Sequence, residues 1–224
     1  MADTSSVYPI TERTEPTRGR DRASYDRRLV HSILDEEYVC HLGFIRDGAP
    51  VVLPTLYARD GERLYLHGST GSRPLHAAGQ QEDGLPVCVT VTLVDGLVLA
   101  RSAFHHSLNY RSVMVHGNAR QVSGAAERER AFGLLIDAVA PGRAADCRPA
   151  NAKEAAATAI LALDLAEVSA KVRAGGPSDD PEDLSLPHWS GVLPVSRQAG
   201  TPLPAEDLDP AVAVPGYLTS YSRP

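Results

Sequence analysis

The stretch "EYVCHLGFIRDGAPVVLPTLYARDGERLYLHG", residues 37–68, constrains the fold of this chain more than any other. Its three apolar, β-rich runs are separated by Asp47-Gly48 and Asp60-Gly61, dipeptides that accept the backbone conformations of tight hairpin turns. Runs this short, punctuated this way, predict three consecutive antiparallel strands. Two further β-rich runs follow, "LPVCVTVTLVDGLVLA" and "YRSVMVHGNARQV", the second with Val113 and Val115 at alternate positions. Pro54 marks a bulge or an unpaired edge position, because proline has no N–H to give to a ladder.

Helices are few. Leu29, Val30, Ile33 and Leu34 recur at helical spacing over Tyr25 to Asp35, with Ser24 placed to cap. Phe132, Leu135, Ile136 and Val139 form one face of an amphipathic helix that begins after Ser123 and stops at Pro141-Gly142. The segment "ATAILALDLAEVSAKV" ends in alternating Val168, Ala170 and Val172 and is read as the closing strand. The resulting expectation is a mainly β protein with flanking helices, built as a six-stranded antiparallel barrel. Residues 1–24 lack periodicity and are expected to be a flexible arm. Residues 25–174 form the barrel domain, and residues 175–224 a Pro-rich tail that packs on the barrel or on a partner subunit around the apolar island "HWSGVLPV".

Composition removes several classes of function. A net charge of −6 with interspersed signs offers no basic patch for nucleic acid or for an anionic membrane. The three cysteines, Cys40, Cys88 and Cys147, are dispersed and form no C-x-x-C, so neither a disulfide framework nor a metal site is expected, and a reducing cytoplasmic setting fits them. No apolar run approaches the roughly 20 residues that span a bilayer. There is no G-K-[ST] phosphate loop and no G-x-S-x-G nucleophile elbow.

Two stretches carry chemistry. In "HGSTGSRPLH", glycines let the backbone turn sharply, Ser69, Thr70 and Ser72 offer hydroxyl donors, and Arg73 adds a fixed positive charge. Ser72 can cap a helix whose first turn holds Pro74, aiming free amides at the loop. Every component favours an anion such as phosphate, while an ordinary strand-to-helix turn explains the glycines equally well. In "FHHSLNYRSVMVHG", polar residues including Tyr110, Arg111 and Ser112 crowd the entrance of a strand, where the Arg111 guanidinium can reach a phosphate or carbonyl oxygen.

Together, the strand ending in His67-Gly68, the small-residue turn, the later N-Y-R-S-V-x-V-x-G and the W-x-G-V-x-P of "HWSGVLPV" resemble the pyridoxamine 5′-phosphate oxidase-like FMN-binding split barrels. The branch containing the nitroimidazole-resistance proteins is the most similar, and the resemblance covers about Asp26 to Val195. It implies an FMN-dependent oxidoreductase with the flavin at a homodimer interface. NAD(P)H or a partner reductase would supply electrons, and a small molecule would be the substrate. It further implies that Ser69, Thr70, Ser72 and Arg73 hold the phosphate and that Tyr110, Arg111 and Ser112 add contacts. Val52, Leu53 and Pro54 would lie along the flavin ring, and Trp189 would form an aromatic wall. Arg73 stands where the family often has lysine, and the product site of the vitamin B6 oxidases is not recognisable. His67 is the candidate for moving a substrate proton, since imidazole titrates near neutral pH.

Rival expectations stand beside this one. Split barrels of this kind also bind haem, for which His67, His106 and His116 are the candidate ligands; His105 and His106, adjacent in sequence, face opposite ways and cannot easily share a metal. A deazaflavin, or a flavin-binding module without turnover, are further alternatives. Cys88, in a Val-rich strand, reads as a core residue, and "ERER" at 127–130 as a solvated helix face.

Overall fold

The computed structural model describes residues 6–69 and 83–222, with Ser69 described in its backbone alone. The elements run β1 (Ala23–Ser24), α1 (Arg27–Glu36), β2 (Val39–Arg46), β3 (Ala49–Asp60), β4 (Arg63–Ser69), β5 (Leu85–Leu99) and β6 (Ser107–Gln121). There follow α2 (Ala125–Val139), α3 (Ala152–Ala157), β7 (Thr158–Asp164), β8 (Glu167–Arg173), β9 (Gly191–Pro194) and α4 (Gly216–Thr219).

The two Asp-Gly turns fold as the sequence requires. Asp47 and Gly48 take φ of 52° and 77°, and Gly61 takes 59°, so β2, β3 and β4 form a meander. β5 pairs with both β2 and β6, and β7 bridges β6 to β4, so the antiparallel strands β2, β3, β4, β7, β6 and β5 close into a ring. The ring splits at β6, which pairs with β8 over Tyr110–His116 and with β7 only at Arg120 and Gln121. The fold is thus the expected split barrel.

Alternation along each strand decides the core. Cys40, Leu42 and Phe44 of β2, Leu64 and Leu66 of β4, Val87, Val89, Val91 and Leu93 of β5, and Val113 and Val115 of β6 point into the ring. Val30, Ile33 and Leu34 of α1 join them from outside the strands, capped by Asp26, whose carboxylate accepts from the Leu29 N–H at 2.8 Å. Each such side chain contributes about 1.5–3 kcal/mol on burial. A smaller cluster under α2 joins Tyr65, Val122, Ala131, Ile160 and Ala162 on the outer side of β4 and β7.

Three expectations change. Asp26 caps α1 in place of Ser24, and Gly124 precedes α2. "ATAILALDLAEVSAKV" forms not one strand but β7 and β8, which turn at Leu165-Ala166; β7 is buried on both faces, so it shows no alternation to reveal a boundary. The N-terminal arm contributes Tyr8 to the core at 1% exposure, and this residue's hydroxyl donates to Glu62 at 2.8 Å and meets His31 Nε2 at 3.1 Å. One aromatic ring with a satisfied hydroxyl anchors a segment that otherwise lacks periodicity.

Candidate functional site

On β2, β5 and β6 the residues between the inward ones form a continuous outer face. Cross-strand register places Val52, Gly43, Cys88, His116 and Glu167 in one row across β3, β2, β5, β6 and β8, and Pro54, His41, Thr90, Met114 and Ser169 in the next. Gly43 leaves a dent here: an added Cβ would lie 3.3 Å from the Cys88 carbonyl oxygen and 4.0 Å from Val52 Cγ2. Ile45, Val52 and Met114 are exposed on this face to 63%, 62% and 40%. Apolar side chains so grouped on a sheet face suit a covering partner or a planar ligand better than water.

Among the described residues, β4 borders only the second half of β3 on its other edge. β4 pairs with β3 only from Tyr57 onward, so Pro54 lies where no β4 partner is needed, as its missing N–H requires. Leu53 points opposite to Val52 and Pro54, toward the Leu42 side, yet remains 39% exposed. Of the three residues expected to run beneath a flavin, two therefore share the outer face and one does not.

His67 faces outward on β4 opposite Ile160, and its carbonyl accepts from Thr55 Oγ1 at 3.0 Å. Its Nδ1 and the Nε2 of His116 are buried, with no hydrogen-bond partner among the described residues. His106, exposed, holds its Nδ1 3.0 Å from the Ser102 carbonyl oxygen. Because a carbonyl only accepts, Nδ1 is the donor of this contact, and in a neutral ring Nε2 is then the nitrogen with a lone pair. His105 pairs instead with Asp180 at 3.0 Å. The phosphate turn falls largely elsewhere: Thr70, Ser72 and Arg73 lie outside the described residues, and Ser69 closes β4.

Tyr110, Arg111 and Ser112 are consecutive on β6 and so alternate in direction. Tyr110 and Ser112 share the outward parity of Met114 and His116, and the Ser112 hydroxyl donates to the Lys171 carbonyl at 3.3 Å. Arg111 shares the inward parity of Val113 and Val115. Its Nε and Nη2 donate to Asp95 at 3.0 and 2.8 Å, and its Nη2 and Nη1 donate to Glu36, the former at 2.9 Å. Asp95 comes from a bulge in β5 between Val94 and Gly96, and Glu36 from the last residue of α1. Hydrogen bonds to Glu36 and then Asp95 hold the guanidinium well above its ordinary pKa. Arg111 thus ties α1 to the barrel end, and a phosphate would have to compete with two carboxylates for it.

Beside this network lies a cavity of about 1140 Å³, lined by Glu36, Tyr38, Asp95, Arg111, Val195 and Arg197 among others. The tail builds one wall. β9 pairs with β5 over Gly96–Leu99, Arg197 clasps Glu37 with both Nη atoms, and Asp179 accepts from the Arg101 N–H and side chain at 2.7 Å each. Burial pushes the Glu37 carboxyl up, but hydrogen bonds from Arg197 and from the Tyr38 and Val39 N–H groups outweigh it and leave the group below the usual carboxylate range. Trp189, 67% exposed, lies over Gly191, where an added Cβ would sit 2.8 Å from the indole. Glu36, Asp95 and the Glu37–Arg197 pair were not singled out from sequence; the Asp95-Gly96 dipeptide inside a strand run was the available signal for the bulge.

Comparison with known proteins agrees with this geometry. The chain is 40% identical to the flavocytochrome Anf3 from Azotobacter vinelandii, over 93% of this chain and 96% of that one, with a TM-score of 0.86. It is 36% identical to the FAD and haem binding protein from Mycobacterium smegmatis, over 88% and 96% of the two chains, with a TM-score of 0.82. A protein described as a 5-nitroimidazole antibiotic resistance protein, from Bacteroides thetaiotaomicron, shares the fold at 19% identity over 67% and 86%, with a TM-score of 0.54. No curated protein sequence matches the chain. Residues 26–172, from the cap of α1 through β8, match the family described as pyridoxamine 5′-phosphate oxidase, and the chain belongs to that family.

Proposed function

We propose that this protein is a redox protein of the flavocytochrome kind, holding a flavin and a haem on one split barrel and working as a homodimer. The observation that carries this reading is the 40% identity to a flavocytochrome across nearly the whole of both chains, tail included. From sequence, flavin and haem are rivals; a relative described as an FAD and haem binding protein supports holding both. A flavin supplies hydride and single-electron transfer, and a haem supplies single-electron and dioxygen chemistry.

The described residues fit both groups. The outer face around Gly43, Val52 and Pro54 offers a shallow apolar bed for a flat ring, and the exposed Ile45, Val52 and Met114 give a second subunit something to cover. For iron, His106 has its Nδ1 turned to the Ser102 carbonyl, as metal-binding imidazoles commonly do, while His67 and His116 have buried ring nitrogens with no partner among the described residues. His67 Nδ1 is also suited to accept or return a substrate proton. Substrate turnover, with NAD(P)H or a reductase as electron donor and FMN or FAD as the flavin, is the oxidoreductase reading of the same site.

The test is to purify the protein and identify what it releases on denaturation, then repeat with His67→Ala, His106→Ala and His116→Ala. One of the three should lose the haem Soret band while keeping flavin. Retention of the band in all three, or its absence in the wild type after haem addition, would overturn the haem half.

A further inference from the structure

Residues 198–214, "QAGTPLPAEDLDPAVAV", run between two pinned points of the tail. Before them Arg197 clasps Glu37; after them the Tyr217 hydroxyl donates to Asp146 at 2.7 Å and the Tyr221 hydroxyl to the Val139 carbonyl at 2.9 Å. The hydrogen bonds inside the segment are local, from the Leu208 N–H to Ala205 and from the Val212 and Ala211 N–H groups to Asp209. Among the described residues none leads to the rest of the chain. Every position except Pro202 is exposed, Leu203 to 90%, and Leu208, Val212 and Val214 stand in solvent with it. A long stretch without regular structure is uncommon in a compact domain unless it binds something or serves as a linker. This one is no slack linker, because both ends are tied and Pro202, Pro204 and Pro210 fix φ along it. Apolar side chains held out on a stiffened loop suit a partner better than water.

Charge names the partner. All the charged residues of the segment are acidic, Glu206, Asp207 and Asp209, and among the described residues none forms an ion pair. The complement lies at the edge of the outer sheet face. Lys171 and Arg173 of β8 stand opposite Ser112 and Tyr110 and share their outward parity. Lys171 Nζ donates to the Arg18 carbonyl at 3.0 Å, and an added Cβ on Gly19 would lie 3.5 Å from that Nζ and 3.7 Å from Arg22 Cδ. Arg173 donates to the Asn109 side chain and to the Gly176 carbonyl. Among the described residues, Arg18, Arg22, Lys171 and Arg173 meet no carboxylate, and Met114 offers exposed apolar surface in the adjoining row. Within one chain the acidic loop and the basic patch both stay open. Two copies related by a two-fold axis can close both at once, since each contact then occurs twice. We propose that residues 198–214 form an arm that grips a second copy of this chain, with the acidic stretch seated on the partner subunit's basic patch. This role rests on the homodimer reading given above.

Lys171 makes a direct test possible, because Lys153 is the other lysine of the chain. A carbodiimide joins a carboxylate to an amine as an amide, with loss of water, and so links groups already in contact. Treatment of the full-length protein should give a covalent dimer on a denaturing gel, with Lys171 joined to Glu206, Asp207 or Asp209 in its peptides by mass spectrometry. The band should be lost in Lys171→Arg, which keeps the charge. That link found only in the single-chain band would place the arm on its own barrel and overturn the proposal. Sedimentation gives a second readout. Asp207→Lys should weaken the dimer about tenfold at low salt, and adding Lys171→Asp should recover most of the loss. A dimer unmoved by Asp207→Lys and free of the cross-link would overturn the arm and leave the homodimer standing. A wild type monomeric at every concentration would overturn both.

Discussion

Arg111 illustrates how one residue type at one position serves two different readings. From sequence it is a guanidinium at a strand entrance, and a phosphate is its natural expectation; in the fold its parity turns it inward, where Glu36 and Asp95 meet it. Neither carboxylate is near it in sequence, so only the closure of α1 over the barrel reveals the network. Arg111→Ala takes the arginine away from two partly buried carboxylates and is expected to cost about 1–3 kcal/mol, toward the low end because the groups are from a quarter to more than a third exposed. Adding Asp95→Asn should restore part of the melting temperature; no restoration would mean that the arginine acts elsewhere. Cys40 offers a second check. Burial inside the barrel pushes its thiol up to about 12, so it should resist alkylation at neutral pH and become labelled only when denaturant opens the ring, as mass spectrometry of the modified peptide would report. Labelling in the native state would contradict the packing around it.

Among the elements, those with strong local signals were legible from the chain alone. The Asp47-Gly48 and Asp60-Gly61 hairpins, the helix 125–139 and the edge position of Pro54 all follow from turn chemistry, periodicity or a missing N–H. What escaped were features with no local period. β7 is buried on both faces and hides its turn to β8, Tyr8 anchors an otherwise featureless arm, and the tail clamp depends on a pair 160 residues apart in sequence. Alternation of Tyr110, Arg111 and Ser112 was legible in principle, since consecutive strand residues face opposite ways, and it divides that candidate trio between two surfaces. The clamp carries a pH dependence. Glu37 titrates lower folded than free, so its contribution is present above the ordinary carboxylate pKa and disappears as pH falls through the lower, folded value. The hydrogen-exchange protection of residues 191–197, taken relative to the intrinsic amide rate, should therefore fall on acidification below the ordinary carboxylate range, and in Arg197→Ala it should already be low at pH 7. Equal protection in the variant at neutral pH would show that β9 pairing alone holds the tail.

At the scale of the molecule, a ring of six strands presents one outer face with exposed Ile45, Val52 and Met114, and a second subunit is its expected cover. Val52→Glu should shift the protein from dimer to monomer in light scattering while the barrel still melts in one cooperative transition. A wild type that is already monomeric would remove the dimer from this account. The family and the barrel were within reach of the sequence because their signals are ordered along it. The proposed pairing of flavin with haem was not, since an axial ligand needs one histidine and this chain has eight. The most direct test is the absorption spectrum of the purified protein supplied with flavin and haem, with the released groups quantified by mass. Superimposed flavin and Soret bands are expected, at one of each group per chain. A protein that retains neither would contradict it.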